Sequence, residues 1–339
     1  MTEKRSLRNL EVSTIGMGCM GFSHGYGKVP ERNYSIQAIR KAADFGCTFF
    51  DTAESYGKEL FCPGHNEELV GDALEPFRKD VVLATKLHLD TAEISGEKTL
   101  YEVMRRHLEL SMRRLRTDYI DLYYLHRWNE QIPVEEVADV MGKFIEKGFI
   151  RGWGLSQVSV QTIDAANQIT PVTAVQSLYS MVERGIEKEV IPYCMEHNIG
   201  IVPFSPIASG FLSGKVTAET QFKGDDVRKF VPQLSKENLS ANQPILDILA
   251  GLSAEKNATS AQISLAWMLR KYPNVVPIPG SKNQERIIEN LASWNVELSN
   301  TEFETLEADL ANCTVYGQRG YIESEQGSFG RNWDKKDGI

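Results

Sequence analysis

Short apolar runs rich in Val, Ile, Phe and Tyr alternate along the chain with longer stretches of helical periodicity, and no other feature restricts the fold as much. The runs occupy residues 15–20, 47–50, 81–85, 120–125, 152–155, 174–176, 199–204 and 275–278. Each is short enough for a buried strand, and the segments between are long enough for a crossover helix, so the strands should lie parallel in one sheet. Leu100, Met104, Leu108, Met112 and Leu115 recur every three or four residues, with Arg105, Arg106, Glu109, Arg113 and Arg114 turned outward. Val134, Val137, Met141, Phe144 and Ile145 repeat the pattern, and residues 261–269 and 287–291 do so more briefly. Eight such strands without a Pro/Gly/Ser-rich linker predict one closed (β/α)8 TIM barrel over residues 1–339, rather than an open doubly wound sheet with a second domain. Two segments break the alternation: 209–243, long and polar, and 313–339, a loop-like tail with five glycines. Long loops in a barrel tend to bind, so the tail is expected to fold over a pocket and set substrate choice.

Charge and composition remove several classes of function. The formal charge of −9 has the wrong sign for a nucleic-acid or anionic-membrane partner, and 42% apolar with 24% charged residues describes a globular chain. No stretch has the ~20 mostly apolar residues of a membrane span, and residues 1–10 lack the apolar segment of a secretory signal, so a cytoplasmic location is expected. Five cysteines without a C-x-x-C pair, and six histidines without H-E-x-x-H, point to free thiols and no metal site.

Two glycine patterns imitate phosphate-binding motifs. Gly16-Met-Gly18-Cys-Met-Gly21 spells G-x-G-x-x-G, but Gly25, Gly27 and Pro30 follow where the dinucleotide fingerprint needs a helix, so the glycines read as a tight passage with close backbone approach. Gly210 to Lys215 is one residue short of a phosphate loop and has Val216 where Ser or Thr would hold magnesium; Lys215 reads equally as a single-phosphate contact or a solvated lysine.

Three consecutive runs end in an ionisable residue: Asp51, Lys86 and His126. In a closed parallel barrel these ends share one mouth, where barrel chemistry takes place. Tyr56 lies five residues beyond Asp51, in a short loop above the same mouth. Its phenol, with an ordinary pKa near ~10, would be made more acidic by the Lys86 ammonium, with Asp51 keeping that ammonium charged. His126 would donate a hydrogen bond that aims a substrate oxygen at the tyrosine. The four make a proton donor for a developing alkoxide without a nucleophile, which suits hydride from a reduced nicotinamide.

These residues sit in a series that resembles the aldo-keto reductases. The strings are Phe50-Asp51-Thr-Ala-Glu-Ser-Tyr56-Gly57, Thr85-Lys86, Leu125-His126-Arg127, Gly154-Leu-Ser156, Val175-Gln176-Ser177, Phe204-Ser205-Pro206, and Pro279-Gly280-Ser281-Lys282 to Arg286-Ile-Ile-Glu289-Asn290. They run in order through residues 7–310. The resemblance implies a barrel with an N-terminal hairpin cap, Asp51, Tyr56, Lys86 and His126 as a catalytic tetrad, and NADPH across the mouth. It further implies that Ser156 and Gln176 hold the carboxamide, that Phe204 stacks on the nicotinamide with Ser205 and Pro206 in the same string, and that Lys215 reaches the pyrophosphate. Gly280, Ser281, Lys282, Arg286, Glu289 and Asn290 would then hold the adenosine end. The residues agree there: Lys282 and Arg286, four apart at an expected helix start, suit a 2′-phosphate of about two negative charges, which favours NADPH over NADH.

Leu178 and Gln157 depart from the residues usual in the family beside the nicotinamide. Met20, Phe22, Tyr26 and Trp128 are expected to line an aromatic substrate pocket. Two functions fit: reduction of aldehyde or ketone carbonyls to alcohols, with Tyr56 as proton donor, and a nucleotide-sensing binding module resembling the potassium-channel β subunits. The tetrad is intact for either, and no docking segment for a membrane partner is evident.

Overall fold

A computed structural model describes residues 4–94 and 98–319. The chain opens with an antiparallel hairpin, β1 (Lys4–Leu7) and β2 (Leu10–Ser13), paired from Lys4↔Ser13 to Leu7↔Leu10. Seven parallel strands follow, each beside its sequence neighbour: β3 (Met17–Gly18), β4 (Phe49–Asp51), β5 (Val82–Leu87), β6 (Ile120–Leu125), β7 (Ile150–Ser156), β8 (Ala174–Leu178) and β9 (Gly200–Phe204). Helices between them cover the outside, among them Arg32–Asp44, His65–Leu74, Leu100–Arg114, Val134–Glu146, Val160–Ile169 and Ser260–Lys271. Thr99 and Glu102 form a capping box on Leu100–Arg114, and Thr259 with Gln262 does the same for Ser260–Lys271, which fixes where both helices begin.

Seven strands leave two open edges, and residues 274–280 close them. The amide of Ile201 donates to the Asn274 carbonyl at 2.8 Å, and those of Val276 and Ile278 donate to the Ile201 and Pro203 carbonyls at 2.8 and 3.1 Å. On the other side Gly16 donates to the Pro277 carbonyl at 2.9 Å, and Gly18 pairs with Gly280. Pro277 and Pro279 have no N–H to offer β3. The eighth expected run is therefore a set of bridges rather than a full ladder, and the first, expected over 15–20, keeps only two residues of regular pairing. A Cβ on Gly18 would lie 2.9 Å from the Ile278 carbonyl oxygen, so this is the close approach that the glycine pattern required. No α-helix opens at Gly21, only a short turn over Met20–Phe22.

The core has two layers. Inside the barrel, Phe49, Ala84, Leu122, Tyr124, Ala174, Val202, Val276 and Ile278 meet Leu7, Leu10 and Val12 of the hairpin, which plugs the bottom. Between strands and helices lies the larger layer, with Trp153, Phe144, Met104, Leu108 and Trp267 fully buried. Each such side chain contributes about 1.5–3 kcal/mol, which makes the strand ends a rigid platform for what projects from them. The polar stretch 209–243 is built from short turns and the helix Lys236–Ala241. Against it pack residues 313–319, with Asn242 exchanging hydrogen bonds of 2.8 Å with the Tyr316 backbone and the Gln233 amide donating to the Gln318 carbonyl at 3.0 Å. The rest of the expected tail, 320–339, lies outside the described residues. Among the described residues no helix is long and apolar enough to cross a membrane, and no group of three or more His, Cys, Asp or Glu is placed to hold a metal ion.

Candidate active site

Parallel pairing sets Asp51, Lys86 and His126 at one end of the barrel. Asp51 is the last residue of β4, Lys86 the penultimate residue of β5, and His126 follows β6 directly. The loop after β4 then turns back, with the Tyr56 amide donating to Ala53 and the Asn66 amide to Tyr56, so the phenol returns over the mouth. Lys86 Nζ lies 2.5 Å from Asp51 Oδ1, 2.7 Å from the Thr52 carbonyl and 3.1 Å from the Tyr56 hydroxyl. Three acceptors thus take the three ammonium protons, in a pair whose side chains are 0% and 3% exposed.

Burial in this cluster works against every charge. It opposes the Lys86 ammonium, but Asp51 and Tyr56 together outweigh it and hold the pKa above the ordinary lysine value. Burial also raises the Tyr56 phenol, and Lys86 pulls it down only in part, so the phenol ends above its ordinary value. This corrects the expected direction. Lys86 acts as foreseen, yet desolvation is the larger effect, and Tyr56 is a phenol that keeps its proton. His126 is pushed well below the usual histidine range, first by burial and then by the Lys86 and Arg127 charges, so it is neutral at neutral pH. Its Nδ1 lies 3.4 Å from Ser55 Oγ, and its ring meets the Tyr56 ring edge-on at 5.6 Å.

The next three strands carry Ser156 as the last residue of β7, Gln176 in the middle of β8 and Phe204 as the last residue of β9. Gln176 Nε2 donates to Asp51 Oδ2 at 2.8 Å, and Ser156 Oγ accepts from Arg127 at 2.8 Å, so both polar groups are tied to the tetrad's own strands. Phe204 is only partly buried, on top of the inner core layer. Gln157 and Leu178, the two departures from family habit, bond to each other: the Leu178 amide donates to Gln157 Oε1 at 2.8 Å, and Gln157 has a φ of +59°. Ser205 Oγ accepts from Arg319 at 3.3 Å, and Pro206 is buried beside it.

The expected helix start after Gly280 is present. Asn283 caps Gln284–Leu291, its side chain accepting from the Arg286 amide, and the Asn283 amide donates to Ser281 Oγ at 3.1 Å. Arg286 is exposed on the first turn, but Lys282 precedes the cap, so the two are not a pair on one helix face. Lys282 Nζ instead donates to the carbonyls of Tyr26 and Lys28 at 2.5 and 2.8 Å. Lys215 Nζ lies 3.5 Å from Glu289 Oε2, which brings those two expected residues together, and Asn290 is buried on the same helix. Of the expected pocket residues, Met20, Tyr26 and Trp128 are partly buried, and the Trp128 indole donates to the Ile132 carbonyl. Phe22 is 1% exposed within the outer core layer, so it is a packing residue rather than a lining one.

The model of the aldo/keto reductase family matches residues 14–310. The chain belongs to the aldo/keto reductase family. It is 36% identical over 324 residues to a probable aldo-keto reductase 1 of Glycine max, covering 94% of this chain and 91% of the relative. It is also 36% identical to the NADP(+) aldo-keto reductase yakc of Schizosaccharomyces pombe, covering 93% of each. Among solved structures it is similar to a glycerol dehydrogenase of Gluconobacter oxydans, with a TM-score of 0.80 at 25% identity over 95% of this chain and 98% of that one. An aldo/keto reductase of Klebsiella pneumoniae in complex with NADP and acetate gives 0.72 at 28% identity, over 95% and 100%.

Residues without a role assigned from sequence support this family member's site. Arg127 joins the ends of β6 and β7 by donating to the His126 carbonyl at 2.5 Å as well as to Ser156. Buried Asn66 ties three segments, donating to the Cys19 carbonyl and Ser23 Oγ while accepting from Thr52 Oγ1. Arg127 was legible as the residue directly after His126; Asn66 left no signal, because its partners lie 14 to 47 positions away.

Proposed function

We propose that this protein reduces aldehyde and ketone carbonyls to alcohols with NADPH, and that Tyr56 gives the proton. The observation that carries the reading is the Lys86 ammonium between Asp51 and the Tyr56 hydroxyl at the rim of the barrel. A substrate oxygen placed against the Tyr56 hydroxyl and neutral His126 meets two hydrogen-bond donors where negative charge develops. The fixed ammonium then stabilises the tyrosinate left after proton transfer, and Asp51 and Thr52 keep that ammonium from turning away.

The residues fit a phosphorylated dinucleotide. Ser156 and Gln176 offer polar groups side by side on neighbouring strands, and the half-buried Phe204 offers a ring face. Ser205 and Pro206 shape the turn that follows. A capped helix with Arg286 on its first turn offers amides and a cation for a phosphate, with Gly280, Ser281, Lys282, Glu289, Asn290 and Lys215 around it. NADP stands in the names of the fission-yeast relative and of the Klebsiella complex, which supports the same choice. NADPH supplies the hydride when bound. Met20, Tyr26 and Trp128 are assigned to the substrate side.

The test is turnover of nitrobenzaldehyde followed by NADPH absorbance. Tyr56→Phe should lower kcat by about 10²–10⁴-fold while NADPH fluorescence is still quenched on binding. An unchanged rate would show that Tyr56 is not the donor.

A further inference from the structure

Glu54 lies between Asp51 and Tyr56, in the loop that places the phenol. Oε1 accepts the backbone amide of His88, two residues beyond Lys86, at 2.7 Å, and Oε2 lies 2.8 Å from His107 Nδ1. The Glu54 carbonyl accepts the Gly64 amide at 2.9 Å and its amide donates to the Lys86 carbonyl at 3.2 Å, so this one residue joins the phenol loop to the exit of β5. His107 stands on Leu100–Arg114, and its second nitrogen lies 3.0 Å from Oε2 of Glu93, on the short helix Thr91–Ile94.

An ionised carboxylate only accepts hydrogen bonds, so an imidazole bonded to one at each nitrogen must carry a proton on both. We propose that His107 is a positioning residue, whose imidazolium, clasped by Glu54 and Glu93, holds the loop that bears Tyr56. The proposal rests on the reading of Tyr56 as proton donor.

Burial disfavours the His107 charge, but hydrogen bonds and attraction from Glu54 and then Glu93 outweigh it and hold the pKa above the ordinary histidine value. Further charges face the cluster from the described residues. Arg106 pairs with Glu93 from the same helix, and Glu67, with Arg114 beside it, interacts electrostatically with Glu54 from His65–Leu74. Buried Tyr123 of β6 also feels Glu54, and the His88 side chain is exposed. The clasp is therefore closed below the raised His107 value and loses one of its two bonds as pH rises through it.

Three measurements test this on the full chain: kcat and KM against pH, the His107 ring titration by NMR, and amide exchange of residues 53–57. Glu93→Gln should move the His107 titration and an alkaline limb of kcat together to lower pH, with KM little changed. His107→Leu should lower kcat by roughly tenfold near neutral pH, lack that limb and exchange faster at residues 53–57, while His107→Arg should recover part of the rate without the limb. A limb that stays in place while His107 titrates elsewhere overturns the proposal, as does full turnover with unchanged exchange in His107→Leu. Exchange is read without turnover, so failure here differs from failure of the proton-donor reading, which is seen in Tyr56→Phe.

Discussion

Replacing Lys86 by Met keeps the length of the side chain and removes its charge, and the structure sets the size of the result. Asp51 Oδ1, the Thr52 carbonyl and the Tyr56 hydroxyl all lose their donor in a site where the pair is 0% and 3% exposed. Removing one partner of a buried ion pair costs about 3–5 kcal/mol, because the other charge stays behind uncompensated. Asp51 keeps the bond from Gln176, which favours the lower end of that range. The loss is large against a total stability of about 5–15 kcal/mol. It also depends on pH. Burial already raises the Asp51 pKa, and without the ammonium it rises further, so the folded variant binds a proton more readily than the unfolded chain. The penalty should therefore be full above the raised folded value and shrink as pH falls toward the unfolded one. Urea unfolding of wild type and Lys86→Met at several pH values measures this. A penalty below ~1 kcal/mol, or one that does not change with pH, would refute a charged Asp51 paired with Lys86.

Two further perturbations bear on the cofactor and on closure of the barrel. Lys282→Ala combined with Arg286→Ala should raise the Kd for NADPH and barely alter that for NADH, as read by fluorescence titration; equal losses would remove the 2′-phosphate assignment. Gly18→Ala places a Cβ 2.9 Å from the Ile278 carbonyl oxygen, which is backbone and cannot swing aside, so it should cost about 1–3 kcal/mol in urea unfolding. An unchanged midpoint would mean that β3 and the closing segment do not meet as tightly as described.

The alternation of strands and helices was readable because its period is local. Residues such as Leu122 and Leu108 declare their burial within a few neighbours, and all eight runs sit in or beside barrel staves. The tetrad was readable for a related reason: a polar residue ending an apolar run marks a strand end, and closure of the sheet brings such ends together. What the sequence did not show depends on contacts between distant segments. Nothing in the sequence announces that Lys282 bonds to the carbonyls of Tyr26 and Lys28, more than 250 positions away. The acidity of Tyr56 was misjudged because desolvation depends on how much protein surrounds the ring, which no spacing records. His107 looks from sequence like one more polar residue on a helix, and only the fold brings Glu54 and Glu93 to its two nitrogens.

The two prolines in residues 274–280 bear on how the chain is made. While a ribosome has delivered only the residues up to Phe204, the growing sheet has a bare margin at β3 and another at β9, and neither can be covered from the material already synthesised. The last stave then attaches firmly on the β9 side and, lacking donors at Pro277 and Pro279, by carbonyls and a glycine contact on the β3 side. The seam between the oldest and youngest staves thus holds fewer backbone bonds than the seam on the β9 side, which makes it the looser of the two joins that complete the cylinder.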